Sequence, residues 1–376
     1  MPEHYDLAVA GGRLLDPARG LDEFGTVAIR GGRIVEAEHG VPARRTLDAT
    51  GLLVVPGLVD LHTHVYWGVS HYGVDVDAHC LAHGTTTAVD AGSAGARTLP
   101  GFRRYVIERA ATRVLAYLHV AVEGMISPLV GELEDLRWAS PDECVARAKE
   151  HADLVVGVKV RLGYQMVGQD PEPALRAARE AADRLELPLM VHVIDLPRPL
   201  SWLLPFLDRG DVVTHCFHGE AGGTILDERG RVLQVVLAAR ERGVLFDVGH
   251  GVGSFAFRVG RAALEQDFAP DTISSDIHAY NVRGPVHDLP TTLSKLLHLG
   301  MPLADVVRAA TAAPAAAVRR EPELGSLAPG RVADVALLGL AAGPATLTDA
   351  AGESVRAERQ LVAHGVVRAG EVVRGP

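Results

Sequence analysis

Between residues 57 and 276 the sequence alternates short apolar, β-branched runs with longer amphipathic stretches, and this alternation confines the chain to a parallel α/β architecture. Eight runs read as strands: 57–62, 86–90, 113–120, 155–160, 188–194, 211–215, 243–248 and 271–276. Helical stretches fall among them at 73–83, 101–111, 141–152, 171–186, 198–208, 230–242 and 254–268. Eight such units with near-continuous apolar strands predict a closed, distorted (β/α)8 barrel. A doubly wound sheet is the rival, but it does not gather the ends of strands one, four, five, six and eight around one point.

The flanks have a different texture. YDLAVAGGRLLD and FGTVAIRGGRIVEA read as strands parted by Gly- and Asp-rich turns. After the barrel, GSLAPGRVADVALLGL and ESVRAERQLVAHGVVRAGEVV return to strand character. Neither group can bury a core alone. The expectation is a small β-sandwich of residues 1–56 with 328–376, and a barrel of 57–327 inserted between its halves. The Ala-rich stretch Ala309–Ala317 is helix-prone apart from Pro314.

A formal charge of −10 without a Lys/Arg cluster argues against nucleic acid and anionic membranes as partners. Cys80, Cys144 and Cys216 form neither a disulfide framework nor a CxxC pair, which fits a reducing compartment. MPEHYDLAVAGG lacks the pattern of a signal peptide, and no run is long and apolar enough to span a bilayer. The expectation is a soluble cytoplasmic protein, with homo-oligomerisation left open.

Polar residues that can bind metal stand where the strands end. His62 and His64, in GLVDLHTH, are two apart, so on a strand they face one side and can grip one ion. Lys159 lies in LVVGVKVRLG, where a charged amine among apolar neighbours is costly unless paired or modified. One resolution is carboxylation by carbon dioxide, giving an anion able to bridge two cations. The other is an ion pair with Asp276 or Asp90. His192 and His215 end the next two strands, and Asp276 ends the last. Imidazole suits Zn²⁺ and other borderline divalent ions. His62, His64 and Asp276 could hold one ion and His192 and His215 a second, with modified Lys159 spanning both. A centre of this kind works by attack of a metal-bridging hydroxide, with Asp276 as general base and proton carrier.

These motifs resemble the amidohydrolase superfamily of metal-dependent hydrolases: PGLVDLHTH, the strand-four lysine, the later histidines, the strand-eight aspartate and the closing GSLAPGRVADVALL. The resemblance covers essentially the whole chain. It implies a distorted (β/α)8 barrel, a sandwich from both termini, two divalent ions and a carboxylated lysine, on the residues named above. DAGSAGARTLPGF, GVKVRLG, THCFHGEAG, FDVGHGVGSFAF and SSDIHAYNVRGPVHDLPTTLSKLLHLGM resemble, more narrowly, a dihydroorotase-like branch. That branch includes proteins that deacetylate small α-hydroxy or amino acids.

Substrate-contacting candidates surround these ligands. Arg161 shares strand parity with Lys159 and is placed to clamp a substrate carboxylate, with a structural ion pair as the alternative. Tyr164 follows it into the loop. His250 and His218 occupy the loops after strands seven and six, and Tyr280 and Asn281 leave the Asp276 loop. Cys216 reads as a packed core thiol, and Lys295, on a helix near 288–297, as structural. The leading functional expectation is removal of a small acyl group, acetyl first, from an amide or ester of a small carboxylate-bearing molecule. The rivals are a cyclic amidase of dihydroorotase or hydantoinase type and a non-catalytic assembly protein; the latter predicts missing ligands, and all six are present.

Overall fold

The computed structural model describes residues 4–38 and 41–376. Five strands come first: β1 (Tyr5–Asp16), β2 (Leu21–Arg30), β3 (Arg33–Val35), β4 (Ala43–Asp48) and β5 (Leu53–Pro56). β1 bends at a bulge between Ala10 and Gly12, where Gly11 adopts φ +81°, open to glycine at little cost. Its first half pairs in parallel with β4 and its second half with β5.

The barrel strands follow: β6 (Leu58–Thr63), β7 (Thr85–Gly95), β8 (Arg113–His119), β9 (Val155–Arg161), β10 (Leu189–His192), β11 (Val212–Thr214) and β12 (Leu245–Asp247). They pair in sequence order, all parallel. The expected eighth strand, 271–276, stands in the closing position but forms only bridges, Asp247 with Thr272 and Thr63 with Ile277. The cause is local. Asp60 Oδ1 takes the Ser275 N–H at 2.9 Å, Ser275 Oγ takes the Ile277 N–H, and Asp276 has φ +47°. A segment whose last donors turn to side chains, with a left-handed residue between them, is no regular strand at its end. The result is a distorted parallel (β/α) barrel.

Leu61, Val89, Leu115, Tyr117, Val156, Met190 and Val212 fill the barrel interior. On β9, Val158 and Val160 pack outward in the layer shared with the helices. The predicted helices shorten at several places: 230–242 begins at Gln234, 254–268 reduces to Phe257–Leu264, and 198–208 becomes Leu200–Leu203 plus a 3₁₀ turn. Among the described residues no helix is long and apolar enough to cross a membrane.

The C-terminal strands β13 (Val335–Thr348), β14 (Ser354–Arg368) and β15 (Glu371–Arg374) join the N-terminal group through β13 against β5. The sandwich expected from both ends of the chain is thus one mixed sheet, β15-β14-β13-β5-β1-β2-β3 with β4 on β1, closing on its own core. The helix Leu289–His298 lies between this sheet and the barrel. Asp288 caps it by accepting from Thr291 N, and Leu289 to Leu297 are all buried. Ser294 Oγ accepts from Leu361 N on β14 at 2.9 Å, while Lys295 Nζ reaches His250 Nε2 in the loop after β12. The β13–β14 turn docks as well: Asp349 accepts from Phe257 N and Ala350 N donates to Phe255 O.

Candidate metal centre

The strand ends converge at the C-terminal mouth of the barrel. His62, His215 and Asp276 bring one ligand atom each within 4.8 Å of one another, all buried. His64 Nε2 lies 3.2 Å and His62 Nε2 3.5 Å from Asp276 Oδ1. The rings of His192 and His215 meet edge to face, with centroids 4.5 Å apart. Lys159 Nζ sits 3.4 Å from His62 Nε2 and 3.4 Å from Met190 Sδ. Gly92, at φ +94°, makes room for its stem: a Cβ there would stand 2.7 Å from Lys159 Cγ. The six residues expected from the sequence to bind metal therefore lie near one another, and His62, His215 and Asp276 stand close enough to share an ion.

A layer of hydrogen bonds beneath the cluster orients the imidazoles. Asp247 accepts from Thr214 Oγ1 (2.8 Å), Thr272 Oγ1 (2.7 Å) and Ser274 Oγ (2.7 Å). With its proton committed to Asp247, Thr214 Oγ1 accepts from His62 Nδ1 at 2.8 Å, leaving the Nε2 lone pair toward the mouth. His215 Nδ1 donates to Gly249 O at 2.7 Å, which fixes the same tautomer. His64 Nδ1 pairs with Ser93 Oγ at 2.9 Å, and Asp90 accepts from Ser93 N and Val65 N. His215 has φ +69° and Asp276 φ +47°, so two members of the cluster hold backbone conformations rare for non-glycine residues.

The electrostatics follow from crowding basic groups away from water. Burial, reinforced by the Lys159 charge, pushes His62, His64 and His215 well below the usual imidazole range. Burial and neighbouring His215 do the same to His192. Burial lowers Lys159 to about 7 against the pull of Asp276, and raises Asp276 to about 6. Asp276 Oδ1 is buried with no hydrogen-bond partner. Neutral imidazoles with lone pairs aimed at one volume, beside a carboxylate oxygen without a donor, make a donor set suited to a borderline divalent cation. This is a metal-binding cluster.

The substrate candidates divide by position. Arg161 is buried at the mouth, its Nε 3.0 Å from Glu132 Oε1 and its guanidinium carbon 5.6 Å from the Tyr72 ring centre. It borders a cavity of about 490 Å³ lined also by His71, Tyr72, Glu132 and Tyr164. Tyr164 is half exposed there; Tyr280 is equally exposed and meets His71 Nδ1 through its hydroxyl at 3.1 Å. Asn281 is buried, donating to Asp276 O (2.7 Å) and accepting from His278 N, so it shapes the loop that carries Asp276. His218 is buried with Nε2 unpartnered. His250 is buried and stacked on Phe255, with its Nε2 2.7 Å from Lys295 Nζ. Cys216 is a packed core thiol.

Sequence reasoning passed over His119, Glu132, Tyr72, His278 and the buried acids Asp60 and Asp247, and considered Asp90 only as an ion-pair partner for Lys159. His119 and Asp247 end β8 and β12, the same signal that marked the ligands. Glu132 lies in an irregular connection and carries no such signal. Burial would raise its carboxyl, but the Arg161 charge and His119 hold it down at about 2.

A family model described as the amidohydrolase family matches residues 53–373. A deacetylase of Agrobacterium fabrum is 37% identical over 317 residues, covering 83% of this chain and 77% of that protein. A solved structure described as an adenine deaminase superposes with a TM-score of 0.91 at 30% identity, covering 99% of this chain and 100% of its own. A second, described as a dihydroorotase, gives 0.89 at 31% identity over 98% and 99%.

Proposed function

The chain belongs to the amidohydrolase family, and on that premise we propose a metal-dependent hydrolase that removes a small acyl group, acetyl first, from an amide or ester whose other half carries a carboxylate. One observation carries the hydrolytic reading: the bare Oδ1 of Asp276, set beside the Nε2 atoms of two neutral histidines. The acetyl preference is supported by the similarity to a deacetylase along most of both chains.

In this reading His62, His64 and Asp276 hold one divalent ion, zinc first, and His192 and His215 a second. Carboxylated Lys159 would serve as an anionic ligand to both. Its lowered pKa supports that assignment, because only the neutral amine attacks carbon dioxide, forming an N–C bond and releasing one proton. When bound, the ions supply Lewis acidity, polarising the scissile carbonyl and lowering the pKa of water. Asp276 takes the proton given up as water adds to that carbonyl. It then delivers the proton to the leaving nitrogen or oxygen as the acyl bond breaks. The Thr214–Asp247 pair keeps His62 in its ligating tautomer. Arg161 receives the substrate carboxylate from the cavity side, and Tyr164, His218, His250, Tyr280 and Asn281 shape the rest of the mouth.

A second reading, a cyclic amidase, draws on the likeness to the structure described as a dihydroorotase. A screen of N-acetyl amino acids, O-acetyl hydroxy acids and cyclic imides against zinc-loaded protein separates the two. Turnover of acetylated acids is the expected result. Turnover confined to the cyclic imides contradicts the deacetylase reading.

A further inference from the structure

A second buried charge cluster stands beside the metal-binding one. Glu132 Oε1 lies 3.0 Å from Arg161 Nε and 3.3 Å from His119 Nε2. None of these three atoms completes an aligned hydrogen bond, so the contact is chiefly one of charge. Glu132 is the one acidic partner of Arg161 among the described residues. Arg161 Nη1 meets the soft Met125 Sδ at 3.9 Å.

The chain on either side fixes Glu132 in place. Gly131 packs so tightly on the segment after β9 that a Cβ would stand 2.2 Å from Gln165 O. Leu133 is fully buried and its N–H donates to Met166 O. The backbone that carries Glu132 is thus anchored on both sides, and its carboxylate is buried between Arg161 and His119.

We infer that Glu132 is a specificity-determining residue, a fixed internal counter-charge that weakens the hold of Arg161 on a substrate carboxylate. The inference rests on Arg161 as the carboxylate anchor. Substrate and released product carry that same carboxylate, so an uncompensated buried guanidinium would retain both. With Glu132 in contact, an arriving carboxylate meets a nearly neutral pair. At a few ångströms and an effective dielectric between protein and water, the repulsion amounts to about a tenfold loss of affinity.

The test compares the N-acetyl amino acid turned over fastest with its methyl ester, in wild type, Glu132→Gln and Arg161→Met. Metal content and thermal unfolding are measured for each. Glu132→Gln keeps the shape and removes the charge. The expected result is a fall of about tenfold in the acid-to-ester ratio of KM, with product inhibition tightened to match. An unchanged or raised ratio in Glu132→Gln, where Arg161→Met has lost its preference for the acid, overturns the counter-charge and leaves the anchor standing. An unchanged ratio in Arg161→Met removes the anchor and the inference together. Should Glu132→Gln fail to fold, Glu132→Asp withdraws the carboxylate by one methylene. It is expected to lower the ratio two- to fivefold, again as an order of magnitude, and no shift there overturns the proposal.

Discussion

Thr214→Val isolates the layer that prepares the metal centre. Valine matches threonine in shape but removes the hydroxyl that accepts from His62 Nδ1 and donates to Asp247 Oδ2, both at 2.8 Å. The loss leaves a buried N–H without an acceptor and takes from Asp247 one of the three hydroxyls that hold it. Each orphaned group costs about 1–3 kcal/mol, so the metal-free variant should be about 2–5 kcal/mol less stable. His62 is also freed to reverse its tautomer or rotate, and metal affinity should fall about 10–100-fold. Thr214→Ser keeps the hydroxyl and should bind metal as wild type does, losing only about 1 kcal/mol of methyl packing. The assay is zinc competition against a chromophoric chelator, with denaturant unfolding of the metal-free proteins. Wild-type metal affinity in a folded Thr214→Val protein would refute the argument that Thr214 and Asp247 set the ligating state of His62.

Asp276→Asn should keep much of its metal while kcat falls about 10²–10⁴-fold, because an amide can offer an oxygen but cannot carry the proton; near-normal kcat in a metal-replete variant would exclude Asp276 as proton carrier. Gly92→Ala sets a Cβ 2.7 Å from Lys159 Cγ at φ +94°, so metal content should drop together with the unfolding midpoint, and an unperturbed, metal-replete variant would show that the lysine needs no such room. The metal-free protein should lose stability as pH falls from 7 to 5. His62, His64, His192, His215 and His250 are held by burial well below their unfolded value, so the unfolded chain binds their protons first. Asp60, raised by burial to about 7, and Asp90 and Asp276, each raised by burial to about 6, act in the opposite sense over the same window. The histidines prevail, giving a slope on the order of 1–3 kcal/mol per pH unit. Unfolding midpoints that rise on acidification would contradict that balance.

The barrel was readable because parallel strands buried on both faces are written as near-continuous apolar runs, and a polar residue closing such a run is conspicuous. Lys159 within LVVGVKVRLG and His192 after PLMV are marked that way, and both reach the mouth. DTISSD, short and partly apolar, carries the pattern of a regular strand. Near its end Ser275 N donates to Asp60, more than two hundred positions away in sequence, and Ile277 N to the Ser275 hydroxyl. The sheet domain was legible as strands from both ends, but its closure into one sheet depends on the Gly11 bend and on β13 finding β5. Glu132 and the Lys295–His250 pair escaped for a common reason. One sits in an irregular connection and the other joins a helix to a distant loop, so neither leaves a periodic trace in the chain.

Crystals of the wild-type protein grown with zinc, measured for anomalous scattering on both sides of the zinc edge, address the metal centre directly. Two peaks per chain are expected, one against His62, His64 and Asp276 and one against His192 and His215, with continuous density joining Lys159 Nζ to a carboxylate between them. A single peak beside an unmodified Lys159, or none among these residues, would contradict the account.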